Sequence, residues 1–248
     1  MPEPIITVKG LSVRYERRTV LSNIYLDIEK GCNYAIIGPN GAGKSTFFKA
    51  LLGLSENSEG RVEIFGGPIT KSRLKTAYLP QKDYFEFDFP ATVYDIVLMG
   101  RYPHKTLFQR IDQADRDKVY TALHDMEIEH LADRQIGQLS GGQQQRVFIA
   151  RALAQEAEVF FMDEPFAGVD ITTEEKIVSI MHNLSKKGKT FLLVHHDLST
   201  IEQYFDKVIM INQRLIAYGD VKSVFNQKNM SECFGAQLSV LHKLNHFG

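Results

Sequence analysis

Long apolar runs are missing from this chain of 248 residues. The longest, such as VFFM at 159–162, FLLV at 191–194 and VIMI at 208–211, fall far short of the roughly 18 residues that a bilayer-spanning helix needs. The chain is therefore not expected to cross a membrane. Cysteine is scarce too: Cys32 and Cys233 lie far apart with no CxxC spacing, which excludes a disulfide framework and fits a reduced compartment such as the cytosol. An excess of one charge is also lacking. With 29 Lys and Arg against 30 Asp and Glu, the formal net charge is -1, so no overall attraction toward nucleic acid or an acidic membrane surface is expected. The segment MPEPIITVKG has no basic stretch followed by an apolar one and a small-residue cleavage site, so it does not read as a signal peptide. Repeats, low-complexity tracts and proline-rich linkers are absent as well.

What is present suffices for a folded core. Apolar residues make up 44% and charged residues 24%, near globular averages, and the length suits one large domain or a core with a subdomain. The short Val, Ile and Phe runs read as buried strands. They alternate with helical segments, including Val119 to Leu131 and Ile177 to Lys187, in the order of a parallel α/β sheet. The opening differs. ITVKGLSVRY, RTVLSNIYLDIE and GRVEIFG alternate with period two across short polar turns, which predicts an antiparallel sheet over residues 1 to about 30 and 60 to 80. From about 90 to 157 the periodicity is helical. The expected fold class is thus α/β: a parallel α/β core with an antiparallel β subdomain and an inserted α-helical subdomain. Its bounds are approximately 1–89 and 158–225 for the core and β subdomain, 90–157 for the helical subdomain and 226–248 for a C-terminal tail.

GPNGAGKST, residues 38–46, fits the spacing GxxxxGK[ST], follows the apolar strand NYAIIG and precedes the helical segment STFFKALLG. The glycines Gly38, Gly41 and Gly43, with Pro39, Asn40 and Ala42 between them, let backbone N–H groups wrap a phosphate. The helix amino end, opening through Thr46, adds partial positive charge. Lys44 would bind the β- and γ-phosphates and Ser45 would offer its hydroxyl to Mg²⁺. The strand VFFMDE ends in two carboxylates. Asp163 would hold Mg²⁺, and Glu164 would orient and deprotonate the attacking water; an acidic pair in DEP could alternatively cap a helix.

A second glycine turn, LSGGQQQR, begins with a capping serine, Ser140, and opens the helix QQRVFIARALA, with Val147, Ala150 and Ala154 on its apolar side. One chain thus carries two phosphate-facing helix ends but one lysine and one acidic pair. The second turn is expected to serve a nucleotide held by another copy of the chain.

Together GPNGAGKST, LSGGQ and VFFMDEP resemble the ATP-binding subunit of an ABC transporter over nearly the whole chain. The resemblance implies a head-to-tail homodimer sandwiching two ATP molecules, with Ser140, Gly141, Gly142 and Gln143 contacting the γ-phosphate in trans. It implies that Tyr15 stacks on adenine, where a bare strand tyrosine would instead pack into core. Gln81 in YLPQ would reach Mg²⁺ and water, and Asp170 in FAGVD would link the two sites. In LLVHHDLS, His196 aligns with the histidine that senses the γ-phosphate. Adjacent strand residues face opposite sides, so His195 takes the role of a packed or solvated neighbour.

The aromatic stretch DYFEFDFPATVYDIVLMGRYPH would pack the helical subdomain and, by the same resemblance, receive a helix of an integral membrane permease. It is most similar to the importer group for manganese, zinc and iron, with importers of chelated iron or cobalamin as the alternative. An ABC ATPase acting on nucleic acid would need a coiled-coil insertion or two ATPase halves, which are not seen, so no nucleic-acid partner is expected. A P-loop kinase or GTPase would not require LSGGQ. The implied place is the cytoplasmic face of the cell membrane, peripheral, with an extracytoplasmic solute-binding protein as an indirect partner. His242 and His246, spaced i, i+4, would form at most a minor metal site in a polar tail.

Overall fold

The computed structural model describes residues 4–16, 18–81, 90–106 and 108–235. Along the chain run β1 (Ile6–Tyr15), β2 (Arg18–Ile28), β3 (Asn33–Ile37), α1 (Lys44–Leu51), β4 (Ser58–Ile64) and β5 (Thr76–Leu79). Then follow α2 (Val93–Leu98), α3 (Gln113–Asp125), α4 (Gly141–Ala154), β6 (Val159–Asp163), α5 (Ile171–Lys186) and β7 (Thr190–Val194). The last elements are α6 (Ile201–Tyr204), β8 (Lys207–Ile211), β9 (Leu215–Asp220), α7 (Val221–Val224) and α8 (Gln227–Phe234). The chain divides into two compact units, residues 1–72 with 192–248 and residues 73–191.

In the first unit, β2, β1 and β4 form an antiparallel sheet in that order. Its apolar face comes from alternation, but the alternation changes phase. Ile6 and Val8 are buried at even positions, Leu11 and Val13 at odd ones, and a strictly regular strand would turn one pair to solvent. The register shift between Val8 and Leu11 absorbs the extra residue and keeps all four on one face. β3 is buried at all five positions and pairs in parallel with β8, Ile36 opposite Ile209. A burial pattern without alternation is what a strand covered on both faces shows. β8 then turns back into β9 as an antiparallel hairpin.

In the second unit β5 lies parallel to β6, Ala77 opposite Phe160 and Leu79 opposite Met162. This corrects the expectation that the antiparallel sheet extends to residue 80: it ends with β4, and TAYL belongs with the buried strands. The signal lies in burial, since three of its four residues are buried and none is exposed.

Helices α2, α3 and α4 pack on one another, and α4 also touches α5. Both α2 and α3 start at a reciprocal cap, Thr92 with Asp95 and Asp112 with Asp115. α3 therefore begins at Gln113 rather than Val119, and it stops at Asp125 because Glu127 turns left-handed, φ 54°. A buried ion pair, Arg101 Nε to Asp115 Oδ1 at 3.1 Å, fixes the turn after α2 to the start of α3. Arg101 also donates to the Ala154 carbonyl at 2.6 Å, so the buried charge is hydrogen-bonded as burial demands.

Candidate nucleotide site

The first glycine turn leaves β3 at Ile37 and enters α1 at Lys44. Gly43 is the residue before the helix, in left-handed conformation at φ 97°, and no side chain caps the helix there. A Cβ at Gly43 would lie 2.7 Å from Leu21 Cδ2, so backbone angle and packing both require glycine. The first turn of α1 carries no acidic residue either. Neither a cap side chain nor an acidic side chain in that turn therefore competes with an anionic ligand for its N–H groups. Lys44 is 7% exposed and donates from Nζ to the Gly38 carbonyl at 2.9 Å and the Pro39 carbonyl at 3.1 Å. The ammonium is folded over the loop. Asn40, Gly41 and Ser45 are exposed, Pro39 and Thr46 half-buried, and Ala42 buried. The Ala42 carbonyl accepts from the Gln213 N–H at 2.9 Å, which pins the loop to the turn between β8 and β9.

Two further expected residues belong to this unit. Tyr15 ends β1 and is 42% exposed, so its ring is not core and is available for stacking. β7 ends at Val194, so both histidines lie beyond the strand. His195 is buried and His196 exposed, as alternation predicts. Burial pushes the His195 imidazole down to about 4, with Asp197 opposing and His196 reinforcing that shift.

The second unit supplies the carboxylates and the second glycine turn. Asp163 closes β6 and is 7% exposed. Glu164 follows in left-handed conformation, φ 51°, as do other turn residues here such as Phe65 and Glu127. The Gln81 amide donates from Nε2 to Glu164 Oε2 at 3.0 Å, so the structure joins two residues that were 83 apart in sequence. Neither carboxylate caps a helix: α5 begins later, at Ile171, and its cap is Asp170, which accepts from the Thr173 N–H at 3.0 Å. The carboxyl of Asp170 is held below the usual range by hydrogen bonds from Thr173 first.

Ser140 caps α4 as expected. Its hydroxyl accepts from the Gln143 N–H at 3.4 Å while Gln143 Oε1 accepts from the Ser140 N–H at 3.0 Å, a reciprocal capping box. Gly141 and Gln143 are half-buried and Gly142 is buried. A Cβ at Gly142 would stand 2.1 Å from Thr173 Cγ2 and 3.2 Å from Val169 Cγ1. Glycine at 142 therefore allows α4 to approach the start of α5. Thr173 and Thr200, the partners of Gly142 and His195, were missed in the sequence, since a threonine carries no motif of its own. Among the described residues no group of His, Cys, Asp and Glu is arranged to hold a metal ion by itself, and His242 and His246 lie outside the described residues. No helix among the described residues is long and apolar enough to cross a membrane.

An α/β fold, a lysine folded over an uncapped glycine-rich helix start and a carboxylate pair after a buried strand define a P-loop nucleotide-binding protein. The family can be stated more closely. The ABC transporter family profile matches residues 21–167, and the chain belongs to that family. It is 46% identical over 240 residues to the manganese transport system ATP-binding protein MntB of Halalkalibacterium halodurans, covering 97% of this chain and 96% of that one. The zinc transport system ATP-binding protein TroB of Treponema pallidum is 45% identical, covering 94% and 88%. A solved ADP conformation of MJ1267, an ATP-binding cassette of an ABC transporter, superposes with a TM-score of 0.79 at 28% identity, covering 92% and 97%. The chain is an ATP-binding ATPase of this family.

Proposed function

We propose that the chain hydrolyses ATP to energise import of a divalent metal ion, manganese or zinc, through an integral membrane permease. The observation that carries the metal assignment is near-full-length similarity to the manganese and zinc transport ATPases. The chemistry rests on the residues above. Lys44, now bonded to two loop carbonyls, would exchange them for the β- and γ-phosphates, with backbone N–H groups from Gly41 to Thr46 around the triphosphate. Glu164, held in rotation by Gln81, would accept the proton of the attacking water. His196, exposed beyond β7, would hydrogen-bond the γ-phosphate, and Tyr15 would stack on the adenine. Ser45, Gln81 and Asp163 offer oxygen donors, the hard set that Mg²⁺ takes; they would hold the ion, whose chemistry is to neutralise charge on the phosphates.

Two copies would assemble head to tail, Ser140, Gly141, Gly142 and Gln143 of one addressing the nucleotide of the other, with Asp170 at the junction. The aromatic stretch after Gln81, leading into the helical subdomain proposed at 90–157, would receive a helix of the permease. The protein would then sit peripherally on the cytoplasmic face, served indirectly by an extracytoplasmic solute-binding protein. The test is uptake of manganese, zinc and iron, measured separately after deletion of the chain and after replacement by Glu164→Gln. Loss of manganese or zinc uptake in both is expected. Unchanged uptake of all three, or ATPase activity stimulated by nucleic acid and not by the permease, overturns the reading.

A further inference from the structure

His195, the histidine that the sequence pairs with His196, has a built environment. Its Nε2 lies 2.7 Å from Thr200 Oγ1. Its ring packs against Tyr204 and Phe205, at centroid separations of 6.2 and 5.2 Å, and both aromatic residues are buried. Its N–H donates to the Ile36 carbonyl at 3.1 Å, one residue before the end of β3 and two before Gly38.

The tautomer follows from the hydroxyl's single proton. Thr200 Oγ1 donates to the Asp197 carbonyl at 3.1 Å, so toward His195 it accepts, and Nε2 carries the hydrogen. The shift of the imidazole to about 4 by burial agrees with a neutral ring. Asp197 is itself tied down: Oδ1 accepts from the Ser199 N–H at 2.9 Å and from the Ser199 hydroxyl at 2.6 Å. The segment from His195 to Thr200 is therefore tied together by side-chain hydrogen bonds, and His196 is exposed within it, as are Asp197 and Ser199. The His195 N–H bond to the Ile36 carbonyl carries strand pairing one residue past Val194, and the turn takes over at His196.

We infer that His195 is a positioning residue for His196: through its Nε2–H bond to Thr200 it locks the turn that aims the exposed histidine. The inference deepens the ATPase reading and rests on it for the role of His196. A leucine at 195 would fill similar space among the aromatic rings but cannot donate to Thr200. A glutamine would keep an N–H donor at comparable reach.

His195→Leu is expected to lower kcat about tenfold with the KM for ATP unchanged within about twofold, the size of one lost buried hydrogen bond felt in the transition state. His195→Gln should recover most of that loss. Thr200→Val should reproduce the leucine variant, and the double variant should be no worse than either. The same variants are read without turnover by the backbone amide resonances of residues 196–200. These should move in His195→Leu and stay near the wild-type positions in His195→Gln. Leucine at the wild-type kcat, or glutamine as impaired as leucine, overturns the inference. Absence of ATP hydrolysis in the wild type would sink the ATPase reading alone, because the amide resonances still decide: shifts alike in both variants, or in neither, refute the positioning role.

Discussion

The two glycine turns open helices of opposite character. α1 starts at a left-handed glycine with no side-chain cap and no acidic residue in its first turn, and its lysine is folded onto loop carbonyls. α4 starts at a serine whose hydroxyl and whose partner glutamine satisfy each other's backbone donors. A helix end without a cap leaves its N–H groups to whatever anion or water arrives. A capped end is complete by itself. The difference teaches that the α1 end lacks the side-chain cap an anionic ligand would replace, whereas the α4 end is closed by its own side chains and, in the proposed dimer, would meet the nucleotide of the other copy already ordered. Gly142 deepens the contrast: it serves packing alone, against Thr173, while Gly43 serves a left-handed turn as well as packing against Leu21.

The largest expected effect separates the two ends through the chemistry. Glu164→Gln should reduce kcat by about three orders of magnitude, within the span a general base contributes, while ATP still binds at the uncapped end. With hydrolysis stopped, ATP should hold the chain as a stable dimer in size-exclusion chromatography, because both turns then grip the same triphosphate. A variant that turns over ATP at the wild-type rate removes Glu164 from the role of base. One that binds ATP tightly yet stays monomeric removes the signature turn from the nucleotide.

Much of this contrast was legible in the sequence. GPNGAGKST between NYAII and FFKALL fixes a strand, a turn and a helix in that order, and Ser140 three residues before Gln143 spells a capping box. The alternation in ITVKGLSVRY announced the antiparallel sheet, although not the phase change between Val8 and Leu11, since a bulge is seen only when the partner strand is known. TAYL was assigned to the wrong sheet because four residues carry too little periodicity to separate a two-sided strand from a one-sided one. The Gln81–Glu164 hydrogen bond and the Thr200 partner of His195 depend on tertiary placement. No local spacing encodes them.

Lys44 tests the P-loop side of the comparison. Lys44→Met removes one charge-assisted contact to phosphate and should weaken ATP affinity by roughly ten- to a hundredfold. It should leave the ligand-free melting temperature nearly unchanged, since in that state the ammonium donates to carbonyls of its own loop. Titration calorimetry with ATP and thermal melts with and without nucleotide measure the two quantities. A large drop in ligand-free stability with affinity retained would make Lys44 a structural brace and erase the contrast.

On the signature side, Gly142→Ala gains helix propensity of about 1 kcal/mol, yet its Cβ meets the stiff Thr173 side chain at 2.1 Å. Overpacking of this kind costs about 1–3 kcal/mol, so a net loss of about 1 kcal/mol is expected. Adding Thr173→Ser removes the offending methyl, keeps the hydroxyl beside Asp170 and should restore stability. A fully stable single variant would mean that α4 and α5 separate easily.

The smallest effect sharpens the comparison most. Ser140→Ala deletes the hydroxyl that accepts from the Gln143 N–H and should cost about 1 kcal/mol, a fall of about 2–4 °C in melting temperature for a chain of this size. ATP affinity of the monomer should not change, because the P-loop that binds it is untouched. Dimer formation in the Glu164→Gln background should weaken, because the frayed end of α4 must be ordered again when it meets the nucleotide of the other copy. Lys44→Met predicts the mirror image, lost affinity with stability kept. If Ser140→Ala instead lowered ATP binding by the monomer and left the melting temperature alone, the signature turn would also be completed by the nucleotide of its own chain, and the two helix starts would differ in sequence without differing in kind.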